Sequence, residues 1–484
     1  MTDLRSVSAL CFPSEATLAM PGSKSEANRL LVAAALSGQT VIVAGASPSD
    51  DVRYLVAGLK TLGFVAEFVD EAQGIVRVGP RNTNATSSGE LFCGNAGTAL
   101  RFLVSVAAIT EGDWVITGDT HMQKRPIQPL VAAWRQLGVE VQANDGCPPV
   151  RVRGGTCNGS RVTIDPTLSS QFVSSLLLVA AQLPNGLELS FSGELASRSY
   201  AQLTCSLLAR IGVTASLGDA TARVSPTRSP PANQLSVGGD WSGMGTWTCL
   251  NHLSGSNVTA SNLSSNSGQA DEQLGVVLQA LKASGEATIN VEPIPDQFLN
   301  LAVVAAFRNG TTHLTGATNV RVKECDRIAV MARELRKLGV DLDEHPDGLT
   351  VRGGKALSSA CIDPEADHRV AMAFALAGLQ SPGITIQGAA CVTKSYPTFW
   401  DDLERVRKQH RAVALVGMRA SGKTTLGKAL AKQMGSTFVD TDGRFVAEHG
   451  PIAEFVEANS WPAFRTLEER IVADAMVPGH VIAT

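Results

Sequence analysis

The chain has 484 residues, of which 44% are hydrophobic and 18% are charged. A chain of this length and composition can bury a large core and should divide into two or three domains, which excludes a mainly disordered protein. Its 41 basic and 45 acidic residues give a net charge of -4, which is not the balance of a general nucleic-acid binder. Any anionic ligand must therefore be held by a local cluster of cations.

The sequence carries no signal for secretion or membrane insertion. It lacks the basic head and apolar run of a secretory signal, and no stretch approaches the roughly 20 apolar residues of a membrane span. Its nine cysteines are scattered without a C-x-x-C pair, which favours a reducing compartment. We therefore expect a cytoplasmic protein that binds neither membranes nor nucleic acids.

A short pattern recurs in the region before residue 400. Polar residues lead into a helix rich in Ala, Leu and Val, which is followed by glycine and a β-branched strand. Where the pattern is clear, its starts fall about 70 residues apart, which indicates one helix-and-strand unit used repeatedly. The starts lie at Pro21, Gly94, Asp165, Ile294 and Glu365. From about residue 242 to residue 269 Ser, Gly and Asn dominate, and we interpret this stretch as loops over a weakly matched unit.

The recurring helices are apolar on nearly all sides, so we expect them to be buried, with the polar residues at their N-termini. Unpaired N–H groups and a partial positive charge make helix N-termini suited to anions. Ser, Asn and Gly at these positions are also ordinary helix caps, and for a single repeat that simpler interpretation is favoured. Because Lys and Arg recur beside the caps, the set as a whole favours an anion-binding cleft.

Basic residues stand at several of these helix starts. Ser25 and Arg29 are one helical turn apart beside Lys24, and Lys323 and Arg327 have the same spacing. Further basic residues occur in Lys124-Arg125, at Arg369 and at Lys394. Any one of these charges alone is more often a solvated surface charge or an ion pair.

Several longer phrases identify a family. They are PGSKSEANRLL, GNAGTALRFL, KRPIQPL, DPTLSSQF, RVKECDR, DHRVAMAF and TKSYP. Together they resemble the enolpyruvyl transferase family, and within it the 5-enolpyruvylshikimate-3-phosphate synthases. The resemblance implies an α/β fold of repeated βαβαββ units, an inside-out α/β barrel in two domains. Domain I would comprise residues 1–19 and 241–408, domain II would comprise residues 20–240, and the two would close over shikimate 3-phosphate and phosphoenolpyruvate.

The same resemblance implies the binding residues. Those implied for shikimate 3-phosphate are Lys24, Ser25, Arg29, Ser169, Ser170, Gln171, Ser197, Tyr200, Asp296, Asn319 and Lys323. Those implied for phosphoenolpyruvate, and for the inhibitor glyphosate in the same pocket, are Arg125, Arg327, Arg369 and Lys394, with Asn95 and Gly97 beside them. A side chain at position 97 should crowd this ligand.

The acid–base candidates are Lys24, Asp296 and Glu324, and the sequence leaves open which of them handles which proton. The resemblance implies no cofactor or metal for this reaction. Two departures from the family pattern stand out, Phe102 where many members have Pro and Cys325 where Thr is common. Cys325 is either a thiol of lowered pKa between two cations or a passive thiol, which we prefer.

A second module follows a charged helix at residues 399–410, with the boundary expected at 408–411. The apolar residues 413–416 predict a buried strand, and a complete G-x-x-x-x-G-K-[ST] phosphate loop follows it. Its ATP-binding residues would be Gly417, Ser421, Gly422, Lys423 and Thr424. Backbone N–H groups and Lys423 would hold the phosphates, and the Thr424 hydroxyl would bind Mg²⁺.

Residues 411–484 resemble a P-loop shikimate kinase. The resemblance implies that Asp440 helps to hold Mg²⁺ and that Asp442 and Arg465 bind shikimate. The sequence stops at Thr484, before the Gly-rich phrase and the lid of that family, so we expect an incomplete and inactive kinase module. A synthase followed by a kinase resembles a fragment of the pentafunctional AROM polypeptide, and a homodimer would then form through flanking domains absent from this chain.

Two alternatives differ from this interpretation. A relative of the same fold would use a UDP-sugar acceptor, but that branch lacks the SKS-x-x-NR and RVKE-x-DR phrases found here. A decayed synthase would act only as a protein that binds anions or ATP. The polar residues that the synthase chemistry needs are all present, which favours the enzyme.

Overall fold

The computed structural model describes residues 3–10, 12–82, 84–228, 233–409, 412–418 and 420–484. The chain forms two compact units. One comprises Met1–Val7, Ala19–Cys249 and Ala260–Phe399, and the other comprises Ser8–Leu18, Leu250–Thr259 and Trp400–Thr484. Residues 410 and 411, where the second module was expected to begin, lie outside the described residues, as does Arg419 of the phosphate loop. The domain boundaries near residues 20, 240 and 410 stay predictions.

Two short strands, β1 (Leu4–Val7) and β2 (Glu15–Leu18), precede a region in which helices alternate with strands. The helices up to residue 236 are α1 (Lys24–Ala35), α2 (Asp50–Thr61), α3 (Gly97–Ile109), α4 (Gln128–Gln136), α5 (Ser170–Ala180) and α6 (Arg198–Arg210). The strands are β3 (Val41–Ala44), β4 (Phe64–Asp70), β5 (Ile75–Arg81), β6 (Ser88–Phe92), β7 (Gly112–Thr117), β8 (Glu140–Asn144), β9 (Cys147–Gly154), β10 (Arg161–Ile164), β11 (Leu187–Phe191), β12 (Val213–Leu217), β13 (Thr221–Arg228) and β14 (Gln234–Ser236).

These strands form three sheets of the same design. Their orders are β14-β3-β5-β4, β6-β7-β9-β8 and β10-β11-β13-β12. In each sheet the first two strands are parallel and the other neighbours are antiparallel. The predicted repeated unit is therefore confirmed, because one pairing pattern recurs with each copy of the sequence pattern.

The helices α1, α3 and α5 lie in a hydrophobic core that extends from Ala27 to Leu235. Their side chains are buried on nearly all sides, as the sequence predicts. The small side chains of Ala and Ser on these helices allow close packing, and the hydroxyls of Ser105 and Ser175 are hydrogen-bonded across α3 and α5. The core thus holds three helices side by side.

The next region contains the helices α7 (Trp241–Ser254), α8 (Leu274–Gln279), α9 (Phe298–Phe307), α10 (Arg327–Lys337), α11 (His368–Gln380) and α12 (Phe399–Lys408). Its strands are β15 (Asn257–Ala260), β16 (Gly285–Asn290), β17 (Gly310–Thr315), β18 (Asp341–His345), β19 (Gly348–Gly353), β20 (Ala360–Ile362) and β21 (Ile384–Gln387). The sheet β16-β17-β19-β18 repeats the order of the three earlier sheets.

The repeat is incomplete elsewhere in this region. A three-stranded sheet has the order β1-β21-β20, and β15 pairs with β2 in a sheet of two strands among the described residues. The stretch from 241 to 290 therefore contributes fewer strands than a full unit. Residues 261–269 are rich in Ser and Asn and lack the β-branched runs that form paired strands, which accounts for the difference.

The last segment contains β22 (Val413–Leu415), α13 (Lys423–Met434), β23 (Thr437–Asp440), α14 (Thr441–His449), α15 (Ile452–Asn459), α16 (Trp461–Ala475) and β24 (His480–Ala483). Its strands form a parallel sheet of order β22-β24-β23. The prediction that residues 413–416 are buried is wrong, since Ala414 is exposed and Val416 is 83% exposed. Within the described residues β22 pairs with β24 on one side only, so it is an edge strand.

Among the described residues, no helix has both the length and the hydropathy that a bilayer span requires.

The core makes a direct prediction about stability. Leu176 of α5 is completely buried, whereas Val276 of α8 is 76% exposed. Leu176→Ala should lower the free energy of unfolding by about 2–5 kcal/mol, because it removes buried methyl groups and leaves a cavity. Val276→Ala should change it by less than about 0.5 kcal/mol. Urea unfolding followed by circular dichroism measures both, and equal midpoints for the two variants would contradict the assignment of α5 to the core.

Candidate active site

A cleft of about 640 Å³ opens where the N-terminal ends of several buried helices meet. Most of the residues predicted for the synthase site line it. They are Lys24, Ser25, Arg29, Gly97, Arg125, Ser169, Ser170, Gln171, Ser197, Tyr200, Asp296, Asn319, Lys323, Glu324, Arg327 and Arg369. Asn95 and Lys394 are outside this lining, but each contacts a residue within it. The structure therefore brings the predicted set together, while the individual roles stay predictions.

The helix starts explain why these side chains meet. Lys24, Gly97 and Arg327 are the first residues of α1, α3 and α10. Ser169 caps α5 by accepting a hydrogen bond from the backbone N–H of Gln171. Helix N-termini carry partial positive charge, so their convergence adds to the charge of the basic side chains.

The charge of the cleft is strongly positive. Six cationic side chains and three carboxylates line it, in a chain whose net charge is -4. The cations are Lys24, Arg29, Arg125, Lys323, Arg327 and Arg369, and the carboxylates are Asp51, Asp296 and Glu324. This local excess is the cation cluster that the overall composition requires if the chain binds anions.

Arg29 is held by the protein itself. Its Nε donates to the Thr204 hydroxyl at 2.7 Å, and its Nη1 donates to the Ser25 carbonyl at 2.8 Å. Its Nη2 donates to the Ser174 hydroxyl and to the Tyr200 carbonyl, each at 3.2 Å. Burial lowers the pKa of Arg29 to about 10. Arg29 thus fixes the positions of Ser25 and Tyr200, and few of its N–H groups stay available to a ligand.

Asp296 joins three donors. Its Oδ1 accepts from Nη1 of Arg327 at 2.9 Å, and its Oδ2 accepts from the Tyr200 hydroxyl at 2.8 Å. Nη2 of Arg369 lies 3.2 Å from Oδ2. Burial opposes ionisation of this carboxyl, but the charges of Arg369, Lys323 and Arg327 outweigh it and hold the pKa of Asp296 well below its usual range. Asp296 is therefore a carboxylate at neutral pH.

Glu324 links two of the predicted phosphoenolpyruvate residues. Its Oε1 accepts from Nζ of Lys394 at 2.6 Å, and its Oε2 accepts from Nη2 of Arg327 at 3.1 Å. Burial opposes ionisation here too, but the cations Lys394 and Arg327 hold the pKa of Glu324 well below its usual range. An anion that binds these cations would compete with the Glu324 carboxylate.

Lys323, Asn319 and Ser197 also line the cleft. Nδ2 of Asn319 donates to the Ser197 hydroxyl at 2.7 Å. Burial lowers the pKa of Lys323 to about 8, although Asp296 counteracts this effect. Lys323 is therefore expected to change its charge close to neutral pH. The pKa values of Arg29, Arg327 and Arg369, the other described lining cations whose pKa is shifted, keep these groups charged there.

Gly97 lies against Arg125. A Cβ atom at position 97 would lie 2.7 Å from Cζ, Nη1 and Nη2 of Arg125. Nη1 of Arg125 also donates to the Asn95 side chain at 3.3 Å. The glycine therefore leaves room for this guanidinium, and the crowding of a ligand at this position stays a prediction.

Asp367 is a residue of the site that the sequence analysis missed. Its Oδ2 accepts from Nε of Arg327 at 2.7 Å, and its Oδ1 caps α11 by accepting from the backbone N–H of Arg369 at 2.8 Å. It is completely buried. The Asp-His-Arg phrase at a helix start was the available signal, because a buried Asp at an N-cap can also bind a neighbouring Arg.

Asp51 and Thr98 were also missed. Asp51 lies 3.4 Å from Nζ of Lys24, and the Thr98 hydroxyl accepts from Nε2 of Gln171 at 3.1 Å. Asp51 follows β3 at the start of α2, so its place in the repeat could have identified it.

His368 lines the cleft too, and burial together with Lys24 and Lys394 holds its pKa well below its usual range, so the ring is neutral.

The two departures from the family pattern are both passive here. Phe102 is completely buried, with its ring 5.4 Å from Cζ of Arg29. Burial and the nearby Asp367 raise the pKa of Cys325, which is opposite to the lowered value considered from the sequence. The charges of Asp367 and Glu324 outweigh the effect of Arg327, so the thiol stays protonated.

The phosphate loop lies between β22 and α13. Nζ of Lys423 donates to the carbonyl oxygens of Gly417 and Met418 at 2.7 and 2.9 Å. The Thr424 hydroxyl donates to Oδ2 of Asp440 at 3.2 Å, so the two predicted Mg²⁺ ligands are neighbours. Gly422 has a φ of +84°, a conformation that favours glycine, and Ser421 is exposed beside it. These features fit a site for a nucleotide phosphate.

The residues predicted to bind shikimate in this segment have fewer contacts that fix their positions than the residues of the phosphate loop have. Asp442, in the first turn of α14, is exposed. Arg465 on α16 is also exposed, forms an ion pair with Glu468, and lies 5.6 Å from the ring centroid of Phe464. The structure gives no direct contact between Asp442 and Arg465 among the interactions of the described residues.

Comparisons with known proteins agree with this geometry. Residues 13–403 match the family described as EPSP synthase (3-phosphoshikimate 1-carboxyvinyltransferase), and residues 419–484 match the shikimate kinase family. A 3-phosphoshikimate 1-carboxyvinyltransferase from Shewanella pealeana is 36% identical over 409 residues, which cover 80% of this chain and 95% of the relative. The enzyme of the same name from Pseudomonas syringae pv. tomato is 38% identical over 398 residues, covering 79% of this chain and 93% of the relative.

Solved structures show the same fold. The EPSP synthase from Acinetobacter baumannii superposes with a TM-score of 0.69 at 23% identity, covering 84% of this chain and 98% of that one. The enolpyruvyl transferase NikO from Streptomyces tendae superposes with a TM-score of 0.64 at 16% identity, covering 83% and 97%. From the family match over residues 13–403, the near-complete coverage of its relatives and the common fold, we conclude that the chain belongs to the EPSP synthase family.

Proposed function

We propose that the chain transfers the enolpyruvyl group of phosphoenolpyruvate to the 5-hydroxyl of shikimate 3-phosphate and releases phosphate. The convergence of six cations with Asp296 and Glu324 in one cleft is the observation that carries this proposal. Two small, highly charged anions require such an excess of positive charge at close range. The family membership supplies the identity of the substrates.

The polar and cationic residues divide into two groups. The hydroxyl and amide side chains of Ser169, Ser170, Ser197 and Asn319, together with Lys323, suit the phosphate and hydroxyl groups of shikimate 3-phosphate. Arg125, Arg327 and Arg369 line the cleft, and Lys394 contacts Glu324 beside it. These cations suit the carboxylate and phosphate of phosphoenolpyruvate, because guanidinium groups bind such anions in a bidentate manner.

The reaction is an addition followed by an elimination. The 5-hydroxyl oxygen forms a bond to C2 of phosphoenolpyruvate as the hydroxyl loses its proton and C3 gains one. The tetrahedral adduct then loses a proton from C3 and expels phosphate, which restores the double bond. Oxidation states do not change, so the step consists of proton transfers and charge stabilisation alone.

Asp296 and Glu324 suit the two proton transfers of the addition step. Asp296 is ionised at neutral pH and can accept the hydroxyl proton. Glu324 is ionised because Lys394 and Arg327 contact it. When phosphoenolpyruvate binds those cations, their hold on Glu324 weakens and its pKa rises, so that Glu324 can take up a proton from water and deliver it to C3. Lys24, which lies 3.4 Å from Asp51, would neutralise the charge of the substrates.

The kinase-like segment would bind ATP and Mg²⁺. The backbone of the phosphate loop with Lys423 would hold the phosphates, and Thr424 with Asp440 would hold the metal ion, which supplies charge stabilisation for phosphoryl transfer. Since Lys423 donates to carbonyl oxygens of its own loop, it must exchange these acceptors for phosphate oxygens.

Phosphate release tests the proposed function. The purified chain with shikimate 3-phosphate and phosphoenolpyruvate should release phosphate in the presence of EDTA, and glyphosate should suppress the release competitively with phosphoenolpyruvate. Omission of either substrate is the control. A folded sample that releases no phosphate would favour the alternative of a decayed synthase that only binds anions.

Gly97→Ala tests the position of Arg125. The added methyl group would displace the guanidinium, so the KM for phosphoenolpyruvate should rise on the order of tenfold and inhibition by glyphosate should weaken. Steady-state kinetics measures both effects. Gly275→Ala is the matched control, because a Cβ atom there meets no atom within 4 Å and should leave the kinetics unchanged. Unchanged kinetics in Gly97→Ala would remove Arg125 from the phosphoenolpyruvate site.

The pKa of Lys323 predicts a pH dependence. If the ammonium group binds shikimate 3-phosphate, kcat/KM for this substrate should fall as pH rises through about 8, where Lys323 loses its charge. Lys323→Arg should lower kcat/KM but shift the falling limb to higher pH, because a guanidinium stays charged. The pH profiles of both proteins provide the measurement. An identical falling limb in the variant would assign the titration to another group.

A further inference from the structure

Glu26 is a buried carboxylate that the proposed chemistry does not use. It lies in the first turn of α1, between Lys24 and Arg29, and is 3% exposed. Its Oε2 accepts from the backbone N–H of Gly238 at 3.1 Å, and its Oε1 accepts from Nε2 of Gln269 at 3.1 Å. Nη1 of Arg210 lies 3.7 Å from Oε2. Glu26 is absent from the lining of the cleft.

Gln269 completes this group of contacts. Its Nε2 also donates to the Gly239 carbonyl at 2.9 Å, and its Oε1 accepts from the backbone N–H of Trp241 at 3.0 Å. Both side chains therefore bind the same backbone segment, residues 238–241. Glu26 precedes this segment in the chain and Gln269 follows it, so their direct hydrogen bond joins positions 243 residues apart.

The segment 238–241 lies against the residues that lead into α1. The N–H of Ser23 donates to the Gly238 carbonyl at 2.7 Å, and the N–H of Asp240 donates to the Pro21 carbonyl at 2.9 Å. Gly22 pairs with Gly239 in an antiparallel bridge. The start of α1 is thus positioned by backbone contacts with the segment that Glu26 and Gln269 hold.

The buried carboxylate has an electrostatic cost that packing alone does not explain. It places a negative charge within two residues of Lys24 and three of Arg29, in a region that the substrates require to be positive. Burying a carboxylate away from water is also unfavourable unless hydrogen bonds compensate for it. An apolar side chain would fill the same space without reducing the positive potential, so the specific contacts of Glu26 must supply the benefit.

We propose that Glu26 is a positioning residue for the synthase reaction. Through Gly238 and Gln269 it fixes the first turn of α1, so that Lys24 and Ser25 face the residues contributed by the chain beyond Gln269, among them Asp296 and Arg369. The inference rests on the proposed function for its substrates. It assigns to Glu26 an effect on substrate binding that a residue of purely structural importance would not have.

The test uses the full chain with the variants Glu26→Gln, Gln269→Glu and the double exchange E26Q/Q269E. Glu26→Gln leaves either the Gly238 N–H or Nε2 of Gln269 without an acceptor, and Gln269→Glu sets two carboxylates against each other. Each single variant should therefore raise the KM for shikimate 3-phosphate on the order of tenfold, with a smaller change in kcat. In the double variant the amide at 26 donates to the carboxylate at 269, but the Gly239 carbonyl loses its donor, so only part of the loss should be recovered. Glu67→Gln, at an exposed carboxylate that pairs with Arg77, is the matched control and should be unchanged.

Several outcomes would overturn the proposal. An unchanged KM in the single variants, equal losses of kcat and kcat/KM, or additive losses in the double variant would each assign Glu26 a structural role only. Hydrogen–deuterium exchange followed by mass spectrometry provides a readout that does not depend on turnover. Peptides that cover residues 23–29 and 237–241 should exchange faster in Glu26→Gln than in the wild type, while peptides of α5 should not.

The two proposals fail in different ways. If the wild type releases no phosphate, the proposed function fails, and the binding of shikimate 3-phosphate measured by calorimetry, together with the exchange rates, still decides the role of Glu26. If the wild type is active and the variants neither lose affinity nor exchange faster, only the positioning role fails.

Discussion

The side chain of Arg327 is the interaction on which the cleft depends. It is 1% exposed and contacts three carboxylates, Asp296 at 2.9 Å, Glu324 at 3.1 Å and Asp367 at 2.7 Å. Each carboxylate then extends to another part of the site, to Tyr200 and Arg369, to Lys394, or to the cap of α11. Loss of the guanidinium would leave the buried Asp367 and the half-buried Asp296 and Glu324 without their common partner, which is far more costly than the loss of a surface ion pair.

This network is adapted to ligands more than to stability. A cleft lined by six cations and three carboxylates carries mutual repulsion that the folded protein must tolerate. Bound anions remove that repulsion, so substrates should stabilise the native state by mass action as well as react. The carboxylates have a second role, because they hold the cations in place and define which N–H groups stay available to the substrates.

Much of the fold was predictable because the sequence repeats. The alternation of polar helix starts with Ala- and Leu-rich helices identified the buried helices, and the residues at the helix starts identified most of the cleft. The residues that were missed act through other residues. Asp51 and Asp367 bind cations of the site, and from the sequence they resemble ordinary helix caps. Their importance depends on which cations lie nearby, and this is set by the pairing of Lys24 with Asp51 and by that of Arg327 with Asp367, 40 positions apart. Composition does not reveal such pairings.

The wrong prediction and the points that the sequence left open have similar causes. The phosphate-loop strand was expected to be buried because its residues are apolar, yet burial depends on having neighbours on both sides, which hydrophobicity alone cannot show. Cys325 lies near Arg327, but Asp367 and Glu324 lie nearby too, and the sequence could not tell which charges would dominate. The contacts of Glu26 depend on the return of the chain more than two hundred residues later. Local sequence patterns carry little information of that kind.

The two-stranded sheet of β2 and β15 has a consequence for biosynthesis. The backbone N–H of Ser14, beside β2, donates to the Ser256 hydroxyl 242 positions later, and β1 pairs with β21 at Leu4 and Gln387. At a translation rate of ~5–20 residues per second, β2 leaves the ribosome on the order of ten to fifty seconds before its partner. During that interval the core between residues 27 and 235 can form, whereas β1 and β2 expose unpaired backbone edges. β1 and β2 are therefore synthesised before the core between residues 27 and 235 but paired after it, and their unpaired edges are open to association during that interval.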